Sequence, residues 1–259
     1  MNIVVCIKQV PDTTDIKIDP KTNTLIREGV ESIVNPFDLY AIEEAIRLKE
    51  VNGGKITAIS MGPPQVESAL RETVAMGVDE IILLSDRKFA GADTLATSIV
   101  LSEMIKQMEN IDIILFGQQA IDGDTGQVGP GVATFLNIPQ TCFVKNIEKI
   151  ENGKIIVERL MEDGFDKVEM SLPVVLSVVK EINTPRLPSL RGKRSAKKAD
   201  LKIITADDLQ LDEKIIGLNG SPTQVVKIFT PKHHKSGEKY EVDSEKAADI
   251  IFQKIKELQ

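Results

Sequence analysis

The chain has 259 residues, 42% apolar and 27% charged, enough to bury a sizeable core in one large domain or in one domain with an appendage. Its 32 lysines and arginines against 39 acidic residues give a formal charge of −7, which argues against nucleic acid as a general partner. Aromatic residues are only 4% and tryptophan is absent, which excludes a base-stacking platform.

No apolar run approaches the ~18 residues of a membrane helix, and the N-terminus has no secretory cleavage pattern. No membrane span is expected, and the expected compartment is the cytoplasm. The first element is a buried strand over residues 3–7, which ends before Pro11. Asn35-Pro36-Phe37-Asp38 follows a polar stretch; Asp38 suits an N-cap for a helix carrying Leu39, Ile42 and Ile46 on one face, stopped by Asn52-Gly53-Gly54. Residues 56–61 read as a second strand, and Val66, Ala69, Leu70, Thr73 and Val74 as a helical stripe ending at Gly77. Residues 81–84 form a third strand, Ala92-Asp93-Thr94 opens an apolar helix through Met108, and residues 111–116 form a fourth strand. Alternation at this spacing implies βαβ units, hence an α/β fold with an open, mainly parallel Rossmann-like sheet and helices on both faces.

After about residue 140 shorter strands are expected over 143–150, 154–160 and 167–171, a small antiparallel meander turning at Asn152-Gly153 and Asp163-Gly164. Residues 173–179 are again a continuous apolar strand. Residues 183–202 hold seven basic side chains against the single acid Asp200, and Pro185 and Pro188 predict an irregular loop there. The α/β nucleotide-binding domain is expected over residues 1–218. Residues 219–259 read as an extended C-terminal arm ending in a helix with Ala247, Ile251, Ile255 and Leu258 on one stripe, docking elsewhere, such as on another chain.

The chemistry concentrates in residues 117–131, which leave the fourth strand and enter a short apolar run. In an open α/β sheet such a turn lies where ligands bind. Gly123, Gly126, Gly129 and Gly131 permit close backbone approach, and the helix start beyond them offers unpaired N–H donors suited to phosphate. Residues 117–137 contain no lysine or arginine, so a diphosphate there relies on backbone amides, the Thr125 hydroxyl, the helix dipole or a cation from elsewhere. Asp122 and Asp124 repel phosphate and suit ribose hydroxyls or capping. The plainer alternative is a turn whose glycines only supply special dihedrals. The two cysteines, Cys6 and Cys142, make no disulfide framework, and the adjacent His233 and His234 have no metal-ligand spacing. No nucleophile constellation or Walker loop is present, so no catalytic residue is assigned.

These residues resemble the β subunit of electron transfer flavoproteins. The resemblance runs through Val5-Cys6-Ile7-Lys8-Gln9-Val10, Asn35-Pro36-Phe37-Asp38 with residues 43–49, Met61-Gly62-Pro63 with residues 75–79, the loop 119–131, and residues 158–164 through Leu172-Pro173. It implies a heterodimer with an α subunit that carries its own FAD. It also implies a β-chain nucleotide pocket formed by Cys6, Asn35, Pro36, Phe37, Asp38, Met61, Asp122, Gly123, Asp124, Thr125, Gly126, Gln127, Val128, Gly129, Pro130, Gly131 and Ala133. In the electron-bifurcating branch of anaerobes that pocket holds a second FAD reduced by NADH; in the other branch it holds a structural AMP. The match over residues 125–130 favours FAD, whereas Asn35-Pro36-Phe37 is shared with AMP-holding relatives. An unrelated nucleotide-binding interaction module stands as a further alternative.

On the resemblance, NADH contacts fall to Met61, Gly62, Pro63 and Thr94, with Asp93 serving as the cap of the helix that opens there. The family's docking loop resembles Leu187, Pro188 and Leu190 followed by Arg191, Lys193, Arg194, Lys197 and Lys198: an apolar anchor beside charges that steer an acidic partner. The plainer reading of those charges is a solvated loop. The implied partners are the α subunit, an FAD-dependent dehydrogenase of acyl-CoA or hydroxy-acid type, and ferredoxin or flavodoxin. Such a subunit is catalytic only in complex.

Overall fold

The computed structural model describes residues 1–12, 32–226 and 237–257. His233, His234 and Leu258 lie outside the described residues. Contacts divide the chain into a unit over Met1–Val226 and a smaller one over Lys227–Gln259.

In the larger unit the chain runs β1 (Asn2–Cys6), β2 (Gln9–Pro11), β3 (Ser32–Val34), α1 (Pro36–Asn52), β4 (Lys55–Met61), α2 (Glu67–Met76), β5 (Glu80–Leu84), α3 (Thr94–Lys106), β6 (Ile113–Gly117) and α4 (Val128–Leu136). It continues through β7 (Gln140–Glu151), β8 (Lys154–Met161), β9 (Gly164–Ser171), β10 (Val174–Val178), α5 (Leu190–Lys198) and β11 (Leu201–Ile204). Among the described residues, nine strands form one sheet in the order β11-β5-β4-β1-β6-β10-β7-β8-β9, while β2 and β3 form a separate antiparallel pair. Pairing is parallel from β11 across to β7 and antiparallel from β7 through β9, so the expected meander is continuous with the parallel sheet.

The central strands are apolar at successive positions because both faces are covered. Ile3, Val5, Ile56, Ala58, Ile113 and Leu115 pack with residues of α1 and α2 on one face. Val4, Cys6, Ile59, Ile114 and Phe116 pack with Val100, Leu101 and Met104 of α3 and Val132 and Ala133 of α4 on the other. This division follows from the two-residue period of a strand.

Four expectations are corrected. Asn35, not Asp38, is the N-cap residue of α1, with Pro36 in the first helical positions, where a missing N–H costs nothing. The glycine segment is shorter than its composition implies: α4 begins at Val128, so Gly129, Pro130 and Gly131 form its first turn. The basic segment is not wholly irregular. Pro185 and Pro188 end before Ser189, whose hydroxyl accepts the Gly192 N–H at 2.9 Å and starts α5. Finally, residues 218–223 stay tied to the larger unit. The Leu218 N–H donates to the Ala90 carbonyl at 3.0 Å, and the Thr223 hydroxyl donates to Asp93 Oδ2 at 2.7 Å.

The smaller unit contains α6 (Ser244–Glu257), with Ile251, Phe252 and Ile255 all exposed. No helix among the described residues is long and apolar enough to cross a membrane.

Candidate functional site

The strand order reverses at β1: the chain moves outward through β4 and β5, then returns to lay β6 on the other side of β1. In an open α/β sheet, ligands bind beyond the carboxyl ends at such a point. Among the segments that leave the sheet on that edge are Lys8 after β1, Met61-Gly62-Pro63 at the end of β4, Ser85-Asp86 after β5, and residues 118–127 after β6.

A polar node at the start of α1 ties two of these segments together. Asn35 is buried; its side-chain N–H donates to the Gln119 carbonyl at 2.9 Å and its Oδ1 accepts the Ile121 N–H at 3.1 Å. The Asn35 backbone N–H donates to the Lys8 carbonyl at 2.8 Å. Asp38, one turn into α1 and also buried, accepts the Lys8 backbone N–H at 2.7 Å and a further N–H from Gly117. Burial pushes the Asp38 carboxyl up to about 7, against the opposing pull of Asn35, the two backbone donors and the Lys8 charge. Gly117 has to be glycine: a Cβ there would stand 2.4 Å from Asp38 Oδ1 and 2.6 Å from the Phe37 carbonyl carbon.

The Lys8 side chain reaches across to Asp122, Nζ to Oδ1 at 2.6 Å. It brings a cation to a loop that has none of its own, spent on Asp122, and the sequence reading had not assigned Lys8 to the site. Its signal was available, because it is the second residue beyond a buried strand. Gln119 Nε2 donates to Asp124 Oδ1 at 2.5 Å, and Asp124 and Gly126 take left-handed backbone angles, φ 55° and 61°. The Thr94 hydroxyl donates to Gln127 Oε1 at 3.0 Å, joining the start of α3 to the residue that begins α4. Asp93 caps α3, accepting the Leu95 and Ala96 N–H groups at 3.0 and 3.1 Å, as expected. No side chain caps α4, whose first-turn N–H donors therefore face the loop without one.

The expected pocket residues thus divide by role. Residues 122–125 are exposed on the loop, with Ile121 beside them. Pro36, Phe37, Met61, Gly62 and Thr94 are half-buried and Pro63 exposed. Gln127 is exposed, and Val128, Pro130 and Gly131 are half-buried at the start of α4. Cys6, Gly129 and Ala133 are buried; the Cys6 and Ala133 side chains pack into the core on the α3 and α4 side. Burial, helped by the nearby Asp38 carboxylate, pushes the Cys6 thiol far up, so it stays protonated at neutral pH. Gly123 has no close neighbour, whereas a Cβ on Gly131 would stand 2.4 Å from Ser98 Oγ, so Gly131 serves helix packing. The arrangement offers backbone donors, a threonine hydroxyl and carboxylate oxygens to a nucleotide; among the described residues it contains no nucleophile with an adjacent base.

The basic segment is separate from this crevice and packs on α2. Gly192 lies so close to Ala75 that a Cβ would stand 2.0 Å from its carbonyl oxygen, and Ala196 is buried. Leu187 and Leu190 are 89% and 82% exposed, and Arg191, Lys193, Arg194, Lys197 and Lys198 are exposed beside them.

Comparison with known proteins matches residues 22–209 to the family described as the electron transfer flavoprotein domain. The chain is 53% identical over 256 residues to the electron transfer flavoprotein subunit beta of Thermoanaerobacterium thermosaccharolyticum, covering 98% of each. It is 48% identical over 257 residues to that of Clostridium acetobutylicum, covering 99% of this chain and 98% of the relative. It is 50% identical over 239 residues to the caffeyl-CoA reductase-Etf complex subunit CarD of Acetobacterium woodii, covering 92% and 91% respectively.

Proposed function

The chain belongs to the electron transfer flavoprotein family as a β subunit, and from that premise we propose that it works in a cytoplasmic heterodimer with an α subunit and holds an FAD at the β1–β6 crevice. When bound, FAD supplies acceptance of a hydride from NADH and release of single electrons to a low-potential acceptor, ferredoxin or flavodoxin, and to a dehydrogenase through the α-subunit flavin. The chain itself binds, orients and excludes. The observation that carries this reading is the loop 118–127, held from below by Asn35, Asp38 and Lys8 and leading into an α4 N-terminus that no side chain caps.

That donor set suits an adenylate-bearing group. The Val128 and Gly129 amides of α4 and the Thr125 hydroxyl face phosphate, and the Asp122 and Asp124 carboxylates suit ribose hydroxyls. Asn35 and Asp38 direct their polar atoms at the protein backbone, so their part is to hold the loop in shape. Met61, Gly62, Pro63 and Thr94, at the neighbouring strand ends, are where the nicotinamide nucleotide would lie.

The exposed Leu187 and Leu190, with half-buried Pro188 between them, dock an FAD-dependent dehydrogenase, and the five exposed cations of α5 steer its acidic face. The name of the Acetobacterium woodii relative, a caffeyl-CoA reductase–Etf complex subunit, supports a partner of acyl-CoA type. The C-terminal arm docks on the α subunit through the apolar side chains of α6.

Absorbance and extracted-nucleotide analysis of the purified heterodimer test the cofactor assignment. Two flavins per heterodimer, one of them bleached by NADH, are expected. One flavin with one AMP overturns the FAD and NADH assignments, and no nucleotide in the β chain overturns the site.

A further inference from the structure

We propose that Arg186 is a positioning residue for partner docking, fixing the foot of the exposed Leu187–Leu190 tip; this rests on the docking reading above. Its guanidinium is gripped by two carboxylates of α1. Nε and Nη2 donate to Glu43 Oε2 and Oε1 at 2.8 and 2.9 Å, while Nη1 and Nη2 donate to Glu50 Oε1 and Oε2 at 2.6 and 3.1 Å. The Arg186 backbone N–H adds a third bond to Glu43, at 3.0 Å. Just upstream, Asn183 Nδ2 donates to the Tyr40 carbonyl and to Glu44, both at 3.0 Å. The chain is therefore immobilised on α1 up to the residue before Leu187.

The far side of the tip is fixed too. Gly192 sits against the Ala75 backbone, and Arg71 donates to the Ala196 and Ala199 carbonyls at 2.5 and 3.2 Å, closing the end of α5 on α2. Between these anchors stand two leucines that touch little of their own chain. A mobile loop would hide its leucines or leave them unordered. Here the backbone is clamped at both ends and the apolar side chains are held outward, which removes the ordering cost of docking.

Arg186 does this by geometry and not by field. Two carboxylates more than offset its charge, and Glu43 is buried, so Arg186 is no part of the positive patch that Arg191, Lys193, Arg194, Lys197 and Lys198 provide. Burying a carboxylate under an arginine is weak evidence for stability but a good way of fixing register. The planar fork matters, because lysine cannot span two carboxylates at once.

The test uses the purified heterodimer with a flavin-dependent acyl-CoA dehydrogenase as the probe. Arg186→Ala is expected to raise KM for the dehydrogenase roughly fivefold or more, leaving kcat at saturation and nucleotide content unchanged. Arg186→Lys recovers part of the loss. In a Leu187→Ala/Leu190→Ala background, Arg186→Ala adds nothing, since the groups it positions are gone. Should Arg186→Ala fold poorly, Glu50→Gln removes only the exposed half of the grip and gives a smaller rise in KM. An impaired Leu187→Ala beside a wild-type-like Arg186→Ala and Glu50→Gln overturns the positioning role and leaves the docking reading standing. A wild-type-like Leu187→Ala overturns both. Loss of nucleotide or of kcat in Arg186→Ala marks a general structural role and overturns the proposal.

Discussion

Gly117→Ala is the sharpest probe of how the crevice is built. Gly117 ends β6 beneath the loop and is fully buried. The added methyl would meet Asp38 Oδ1 at 2.4 Å, the Phe37 carbonyl carbon at 2.6 Å and the Asp38 nitrogen at 2.8 Å, where ordinary contact begins at 3.4 Å. Something must yield by up to about 1 Å, and two of the three atoms are backbone in the first turn of α1, unable to rotate away. Overpacking of this kind costs about 1–3 kcal/mol. Expelling Asp38 instead strands the part-buried Lys8 N–H that it accepts at 2.7 Å, at a comparable ~1–3 kcal/mol. By either route a loss of about 1–3 kcal/mol is therefore expected, with nucleotide released as the loop loses its floor. Gly123→Ala is the matched control, since nothing lies within 4 Å of its Cβ position. Its stability should stay within about 0.5 kcal/mol of the wild type or rise slightly. Urea unfolding midpoints with nucleotide analysis of both variants decide the matter. Equal stability and equal nucleotide content in the two would refute the reasoning.

Gly126→Val places a β-branched side chain at a left-handed position, φ 61°, with its Cβ 3.2 Å from the Gln118 carbonyl oxygen, so the purified variant should lack bound nucleotide; full cofactor content would reject the loop assignment. Asp38 stands at about 7 in the folded chain against an ordinary aspartate value of 3.8, so between those values the folded state binds a proton that the unfolded chain has lost. Its contribution to stability is therefore most favourable below pH 4 and declines as pH rises to about 7, by on the order of 4 kcal/mol. A carbon-13 titration of the Asp38 carboxyl should show a midpoint near 7, and one near 4 contradicts this account. Rising salt should increase KM for the dehydrogenase steeply, because α5 docks through exposed cations, while leaving nucleotide content unchanged. Parallel loss of both on adding salt would show that the nucleotide too is held by side-chain charge.

Much of the framework was legible because buried parallel strands carry uninterrupted apolar runs. Residues 3–7, 56–61 and 81–84 could hardly be anything else, and the glycine segment after the fourth strand marked the crevice by chain order alone. What escaped the reading depends on tertiary partners. β11 reads Leu-Lys-Ile-Ile with both inner residues exposed, an edge strand defined by its pairing with β5 and not by its own periodicity. The helix α5 was hidden by its charge: a stretch with seven basic residues looks solvated, yet Gly192 and Ala196 give it one small-residue face that packs on α2. Asp38 carries the residue type of a cap, but Pro36 favours helical geometry from the first turn and moves the cap back to Asn35. The Lys8–Asp122 pair spans 114 positions and no local pattern announces it.

The node beneath the loop has a consequence for what the crevice recognises. Asn35 and Asp38 spend their hydrogen-bonding capacity on the backbone of residues 8, 117, 119 and 121, and Lys8 is neutralised by Asp122. What stays directed outward is main chain, one hydroxyl and the remaining carboxylate oxygens, a donor and acceptor set fitted to the adenosine and phosphate part of a cofactor. That part is common to AMP and FAD, so the loop supplies affinity for both and discrimination between neither. On the proposed reading, selection for a flavin belongs to the rim beyond the loop, where Met61, Gly62, Pro63 and Thr94 stand at neighbouring strand ends and the α subunit closes the crevice. Side chains shape the cradle and backbone holds the ligand. For that reason substitutions on the rim should exchange one adenylate cofactor for the other, while substitutions at Asn35, Asp38 or Gly117 should abolish the binding of both.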